Sequence, residues 1–114
     1  MVKKPYIPDR GDVVWVDFNP TKGREQAKVR PAMVVSPKAY NQKTSLAIMC
    51  PITSVAKAYP FEVPVTSKKV SGVVLSDHVR SVDWKARNAK FISKAKPAVV
   101  SEVQRKIMLV IGSA

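Results

Sequence analysis

Apolar residues in this chain come in short runs that proline or polar turn residues cut off. The longest, Leu46 to Ile52, is itself interrupted by Pro51. Such punctuation leaves little room for helices and favours many short strands. Gly11-Asp12 opens a strand over Val13–Phe18, which Asn19-Pro20 breaks. A second strand runs from Pro31 to Ser36 and stops at Pro37, and a third covers Leu46–Thr53. The third is apolar almost throughout, the mark of a strand buried on both faces. Phe61–Val65 alternates and contains Pro64, which assigns it to a sheet edge. Val73–Leu75 follows the Ser71-Gly72 turn, and Val79–Val82 continues or adds a strand. Residues 1–10 read as an extended arm, 20–28 as a long basic loop, and 38–44 as a short helical turn. Residues 85–96 are basic, contain no acid, and read as a solvated connection with room for one strand.

The end of the chain has a different period. Val99, Val100, Val103, Ile107, Val110 and Ile111 recur at three- and four-residue steps, Pro97 sits at a first helical position, and Gly112 ends the pattern. One amphipathic helix from Pro97 to Ile111 is predicted, with Glu102 and Lys106 as an i,i+4 pair and one face docked on a sheet. At 114 residues the chain is read as a single domain, 1–114. Its fold class is mainly β with short helices: a small, strongly curved antiparallel barrel with a C-terminal amphipathic helix.

Charge narrows the function. Twenty Lys and Arg face eight Asp and Glu, a net +12. A small surface so charged repels itself unless a polyanion or an acidic partner neutralises it. With one cysteine, Cys50, and one histidine, His78, an intrachain disulfide is impossible and a Cys/His zinc site is not expected. No segment spans a bilayer and no signal peptide is read at the N-terminus, so a reducing compartment is expected. The carboxylates are scattered, without the convergence a two-metal nuclease needs, and no phosphate-cradling glycine loop is present. Cleavage of RNA needs no metal, because the substrate supplies its own nucleophile, the 2′-hydroxyl. A carboxylate, a guanidinium and a hydroxyl suffice to deprotonate it, neutralise the phosphorane and protonate the leaving oxygen.

Three places hold such groups. In the basic loop, Lys22, Arg24, Lys28 and Arg30 surround Glu25, either as a phosphate-attracting site or as a solvated loop with weak ion pairs. Thr53 and Ser54 end the third strand, where hydroxyls either donate to a phosphate oxygen or cap a turn. Asp77-His78 follows the Val73–Leu75 strand; the imidazole fits an acid, a base, a base-stacking ring or a structural group.

The run Gly11–Gln26 (GDVVWVDFNPTKGREQ) followed by Arg30-Pro31-Ala32 resembles the MazF/PemK family of toxin endoribonucleases, nearest its chromosomal MazF branch. The likeness continues through Ser36-Pro37, Tyr40-Asn41, Pro51–Thr53, Lys57, Tyr59–Val63, Gly72-Val73, Asp77 and Ser81–Arg87 into the final helix. It implies an SH3-like barrel that forms a homodimer. It further implies metal-independent, sequence-specific cleavage of single-stranded RNA, usually mRNA, to 2′,3′-cyclic phosphate and 5′-hydroxyl ends, which blocks translation. Mapped by motif, Glu25 is the implied general base. Arg30 stabilises the phosphorane and is a candidate acid, and Thr53 holds a phosphate oxygen. Lys22, Arg24, Gln26, Lys28, Ser54, Lys57, Asp77, His78 and Arg80 are the implied RNA-binding residues, with no cofactor and no metal.

The chain departs from the family pattern at three positions. Leu75 replaces the arginine that plasmid-type relatives use with the aspartate at Asp77, which argues against their Asp/Arg mechanism. His78 stands where many relatives have glutamine, so the preferred RNA motif is expected to differ. Arg24 replaces a small residue beside Glu25 and would depress its pKa. The implied partners are single-stranded RNA and a MazE-type antitoxin with an acidic C-terminal tail that competes for the basic surface. The implied location is the bacterial cytoplasm, with no membrane contact. Two other readings use the same composition. One is a gyrase-binding poison on the same fold, as in CcdB relatives, which lack the Gly-x-Glu-Gln…Arg-Pro run. The other is a plain RNA-binding barrel that stacks bases on Trp15, Tyr40, Tyr59 or Trp84, although core packing is the expected use of these aromatics.

Overall fold

The computed structural model describes residues 5–19 and 28–112. In chain order the elements are β1 (Asp12–Asn19), β2 (Lys28–Val34), α1 (Lys38–Thr44), β3 (Leu46–Thr53), β4 (Glu62–Thr66), β5 (Ser71–Leu75), β6 (Arg80–Asp83), β7 (Lys90–Lys94) and α2 (Pro97–Ile111). All pairings are antiparallel and make one curled sheet in the order β4-β5-β3-β2-β1-β7. β6 joins it beside β5: the edge of β3 that does not face β2 pairs first with β6, at Leu46–Met49, and then with β5, at Ile52-Thr53. β4 lies at the end of the order with Pro64 exposed, where a strand proline is tolerated.

Alternate residues of the strands feed two cores. Val13, Met33, Cys50, Ile52, Val63 and Val74 pack on the face that α2 covers with Val103 and Ile107. Val14, Val16, Ala32, Val34, Met49 and Trp84 pack on the other face. Both faces of β1 and β3 are therefore used, and no residue of β3 is exposed, as its continuous apolar character predicts. The Trp84 indole N–H donates to the carbonyl of Asn41 (3.0 Å), and the buried Asn41 amide donates to the carbonyls of Pro8 (2.7 Å) and Ser36 (3.0 Å), so α1 and the N-terminal arm are tied to the second core.

The structure differs from the sequence reading in three places. β2 starts at Lys28, ahead of Pro31: Val29 and Arg30 are exposed and held by pairing with Asp17 and Val16, so no apolar pattern marks them. Of the aromatics read as core, Trp84 is buried and Trp15 half-buried, but Tyr40 and Tyr59 are exposed. The docked face of α2 ends early. Val103 and Ile107 are buried, each contributing about 1.5–3 kcal/mol. Val110 and Ile111, assigned to the same face by their spacing, are exposed with Met108 and Leu109. Glu102 pairs chiefly with Arg105 (2.8 Å) and stands 3.8 Å from Lys106. Lys106, whose expected i,i+4 pair with Glu102 is present, also donates to the carbonyls of Pro60 (2.6 Å) and Glu62 (3.2 Å), which fixes α2 against the start of β4.

Candidate active site

The β2–β3 register builds the site. Ala32 lies opposite Pro51 and Met33 opposite Cys50. The pairing ends at Ala32–Pro51, and Arg30 and Thr53 each lie two residues beyond that pair. There they line one cavity of about 230 Å³ with Trp15, Ser54, Lys69 and Ser71. Arg30 is exposed, and among the described residues its guanidinium has no ion-pair or hydrogen-bond partner. The Thr53 hydroxyl accepts the N–H of Val55 (3.2 Å), which caps the turn after β3 and leaves its own O–H to donate. Capping and phosphate contact, alternatives from the sequence, are thus compatible in one hydroxyl.

Gly72 fixes the far wall. A Cβ there would lie 2.2 Å from the Thr53 carbonyl oxygen and 3.2 Å from Ser54 Cα, so β5 approaches Thr53-Ser54 as closely as only glycine permits. The next β5 residue, Val73, pairs with Thr53. The approach holds Thr53, Ser54 and the Lys69–Ser71 segment at fixed spacing.

A second cavity, about 500 Å³, opens on the other side of Thr53 and includes Lys57, Tyr59, Glu62, Leu75 and His78. The Glu62 carboxylate accepts the backbone N–H groups of Lys57 (3.0 Å) and Tyr59 (3.3 Å), closing the 57–62 loop over it. The Tyr59 hydroxyl donates to Asp77 Oδ2 at 2.9 Å, and this bond to a carboxylate raises the tyrosine pKa. Asp77 Oδ1 is buried, has no hydrogen-bond partner among the described residues, and stands 3.8 Å from the exposed His78 imidazole. Asp77 thus accepts the Tyr59 hydroxyl with one oxygen and turns the other toward His78. Beneath it, Cys50 is buried, and its thiol is pushed up to about 12, first by burial and then by the Asp77 charge. It stays protonated near neutrality and is no nucleophile.

The remaining sequence-predicted residues fall as follows. Ser54 lines the first cavity and Lys57 the second, whereas Arg80, on β6 opposite Met49, lines neither. Lys28 opens β2 opposite Asn19. Lys22, Arg24, Glu25 and Gln26 lie outside the described residues. Among the described residues no three His, Cys, Asp or Glu side chains converge as a metal site, and no described helix is long and apolar enough to cross a membrane. From the sequence, Trp15 and Tyr59 were candidates only for base stacking, and Lys69 and Ser71 in the first cavity and Glu62 in the second were passed over. The doublet Lys68-Lys69 between two β-rich runs was the available signal, since it marks a hairpin turn that projects charge.

Arg30 and Thr53 together offer a guanidinium and a hydroxyl to one anionic group, the pair that a phosphoryl centre gaining charge requires. Comparison with known proteins places the chain in a family. Residues 9–111 match the PemK-like, MazF-like toxin family of type II toxin–antitoxin systems. The chain is 46% identical over 107 residues to Endoribonuclease toxin MazF of Escherichia coli (strain K12), spanning 94% of this chain and 96% of that protein. Its fold superposes on the crystal structure of MazF from Deinococcus radiodurans with TM-score 0.85 and 48% identity, covering 96% of this chain and 100% of that one. On a MazE–MazF complex from the same organism the TM-score is 0.84 at 46% identity, with the same coverage.

Proposed function

We infer the function from the premise that this chain belongs to the PemK-like, MazF-like toxin family of type II toxin–antitoxin systems: it is an endoribonuclease toxin neutralised by an antitoxin. The observation that supports its active site is that Arg30 and Thr53, each two residues beyond the last β2–β3 pair, line one cavity.

The proposed reaction is metal-independent transesterification of single-stranded RNA. The 2′-oxygen attacks the adjacent phosphorus as its proton passes to a base, for which the family resemblance names Glu25. The bond to the 5′-oxygen breaks, that oxygen takes up a proton, and a 2′,3′-cyclic phosphate and a 5′-hydroxyl remain. Arg30 neutralises the charge growing on the phosphorane oxygens and is the candidate acid; the Thr53 O–H donates to one of those oxygens. A guanidinium and a donor held in place before the charge develops favour the transition state over the ground state. The cavity beyond Thr53 receives a neighbouring base beside His78 and Tyr59, with Lys57 at its rim.

The net +12 suits an acidic antitoxin tail as well as RNA, and the two compete for this surface. The exposed end of α2, Met108 to Ile111, is an apolar helix end that suits a second copy of the chain, making the working unit a homodimer. Its place of action is the bacterial cytoplasm, where mRNA is translated.

The test is cleavage of a long single-stranded RNA in EDTA by the wild type and by Arg30→Ala, with end-group analysis. Cyclic-phosphate ends produced by the wild type and lost in the variant support the mechanism. RNA bound in a salt-sensitive manner but left intact would replace it with a binding module, and gyrase-dependent DNA breakage would select the poison on the same fold.

A further inference from the structure

The turn between β4 and β5 carries two consecutive lysines that reach two different grooves. Lys69 lines the Arg30–Thr53 cavity. Lys68 lines a neighbouring groove of about 330 Å³ together with Phe91 and Lys96. The ridge between them is built firmly. Ser67 and Val70 exchange backbone hydrogen bonds (2.8 and 3.3 Å), Val70 is buried in the core, and the Ser93 hydroxyl donates to the Ser67 hydroxyl at 2.6 Å. These bonds anchor the backbone of the turn from which the two lysines project to either side.

The outer groove has the composition of a nucleotide site. Phe91 packs against Tyr6 with ring centroids 5.9 Å apart, yet stays 52% exposed. Lys68 and Lys96 are exposed, and neither pairs with an acid among the described residues. Lys94, in the same groove, is already neutralised by Asp12 at 2.6 Å and adds little. An aromatic face flanked by unpaired cations is the arrangement that holds a stacked base and its phosphate.

We propose that this outer groove is a second nucleotide subsite: the RNA strand leaves the Arg30–Thr53 cavity across the β4–β5 turn, giving a phosphate to Lys69, the next to Lys68 and Lys96, and a stacked base to Phe91. The proposal rests on the RNA-cleaving reading of the inner cavity. Lys69 thereby becomes a substrate-positioning residue, and a short RNA confined to the inner cavity forgoes the outer subsite.

The test is fluorescence anisotropy with two RNAs made uncleavable by a 2′-deoxy substitution at the scissile nucleotide. One is a trinucleotide and the other about ten nucleotides long, within the range one small domain covers. Lys69→Ala is expected to weaken both. Lys68→Ala with Lys96→Ala, and separately Phe91→Ala, are expected to weaken only the longer RNA, by about five-fold or more for the missing stack. The double variant also lowers the slope of log affinity against log salt by about 0.7 for each phosphate it no longer neutralises. Phe91→Trp keeps a stacking face and restores affinity, which separates stacking from folding. Equal responses of the two RNAs, or a longer RNA indifferent to the outer variants, would overturn the subsite. So would an acidic peptide losing affinity in those variants while RNA does not. Failure of the wild type to bind or cleave any RNA would instead overturn the underlying reading.

Discussion

A Cβ on Gly72 would stand 2.2 Å from the carbonyl oxygen of Thr53 and 2.9 Å from its carbonyl carbon. Both are backbone atoms in the middle of a sheet, and neither yields as the tip of a flexible side chain would. Gly72→Ala is expected to push β5 away from Thr53-Ser54. Overpacking of this kind costs about 1–3 kcal/mol, which lowers the melting temperature by about 4 °C or more. Activity should fall further than stability explains, because the wall carrying Lys69 and Ser71 moves with β5. Thermal melts beside cleavage rates, both measured where the variant is fully folded, check this; a cooler-melting variant with normal kcat would separate Gly72 from the site.

Thr53 performs two tasks that one substitution separates. Thr53→Val keeps the shape but removes both the O–H donor and the acceptor for the Val55 N–H. That N–H lies at an exposed turn where water replaces the acceptor, so stability should change by no more than about 0.5 kcal/mol. Loss of a preorganised donor to a developing oxyanion costs about 10²-fold or more in rate. Single-turnover cleavage should therefore slow by about that factor in Thr53→Val and recover in Thr53→Ser. A Thr53→Val enzyme at wild-type rate would remove the hydroxyl from the mechanism.

Alkaline pH should expose the bond between Tyr6 and Asp12. The Tyr6 phenol donates to Asp12 Oδ2, and burial first, then Asp12, raises its pKa well above the ordinary tyrosine value of 10.0. A group whose pKa is raised by folding stabilises the fold fully below its unfolded value. Above that value the unfolded chain ionises while the folded one does not, and the stabilisation is lost progressively toward the folded pKa. Stability should hold to about pH 10 and fall beyond it. Chemical denaturation at several alkaline pH values, wild type beside Tyr6→Phe, tests the assignment: the variant should be less stable at neutrality and show a shallower alkaline decline.

Elements that bury apolar residues at a regular period were legible in the sequence: β1, β3 and the docked part of α2. β7 was read only as room for one strand within 85–96, because a register shift against Val13 and Val14 breaks its alternation. Phe91 faces outward while Ser93 is buried beside Ser67. The start of β2 was missed for a related reason, since Val29 and Arg30 are held by hydrogen bonding to β1 and bury nothing. Within the site, Arg30 and Thr53 came from the family motif, but their juxtaposition is a matter of strand register, which depends on the whole sheet. Lys69 and Tyr59 reach the same region through a turn and a loop, and neither occupies a strand position at which a pattern would mark it.

The exposed end of α2 makes the strongest claim about assembly. Met108, Leu109 and Ile111 are 59%, 64% and 68% exposed, at the end of a helix whose earlier turns bury Val103 and Ile107. Large adjoining aliphatic side chains left in water are a liability in a monomer and an asset in a two-fold interface, where each chain presents the same patch to the other. Leu109→Lys sets a charge in the middle of that patch without touching the core beneath Val103. Sedimentation equilibrium should report a dimer for the wild type and a monomer, or a dimer weakened by about ten-fold or more, for the variant, since burying an unpaired charge costs several kcal/mol. A folded Leu109→Lys protein that stays dimeric at wild-type affinity would move the interface elsewhere on the sheet.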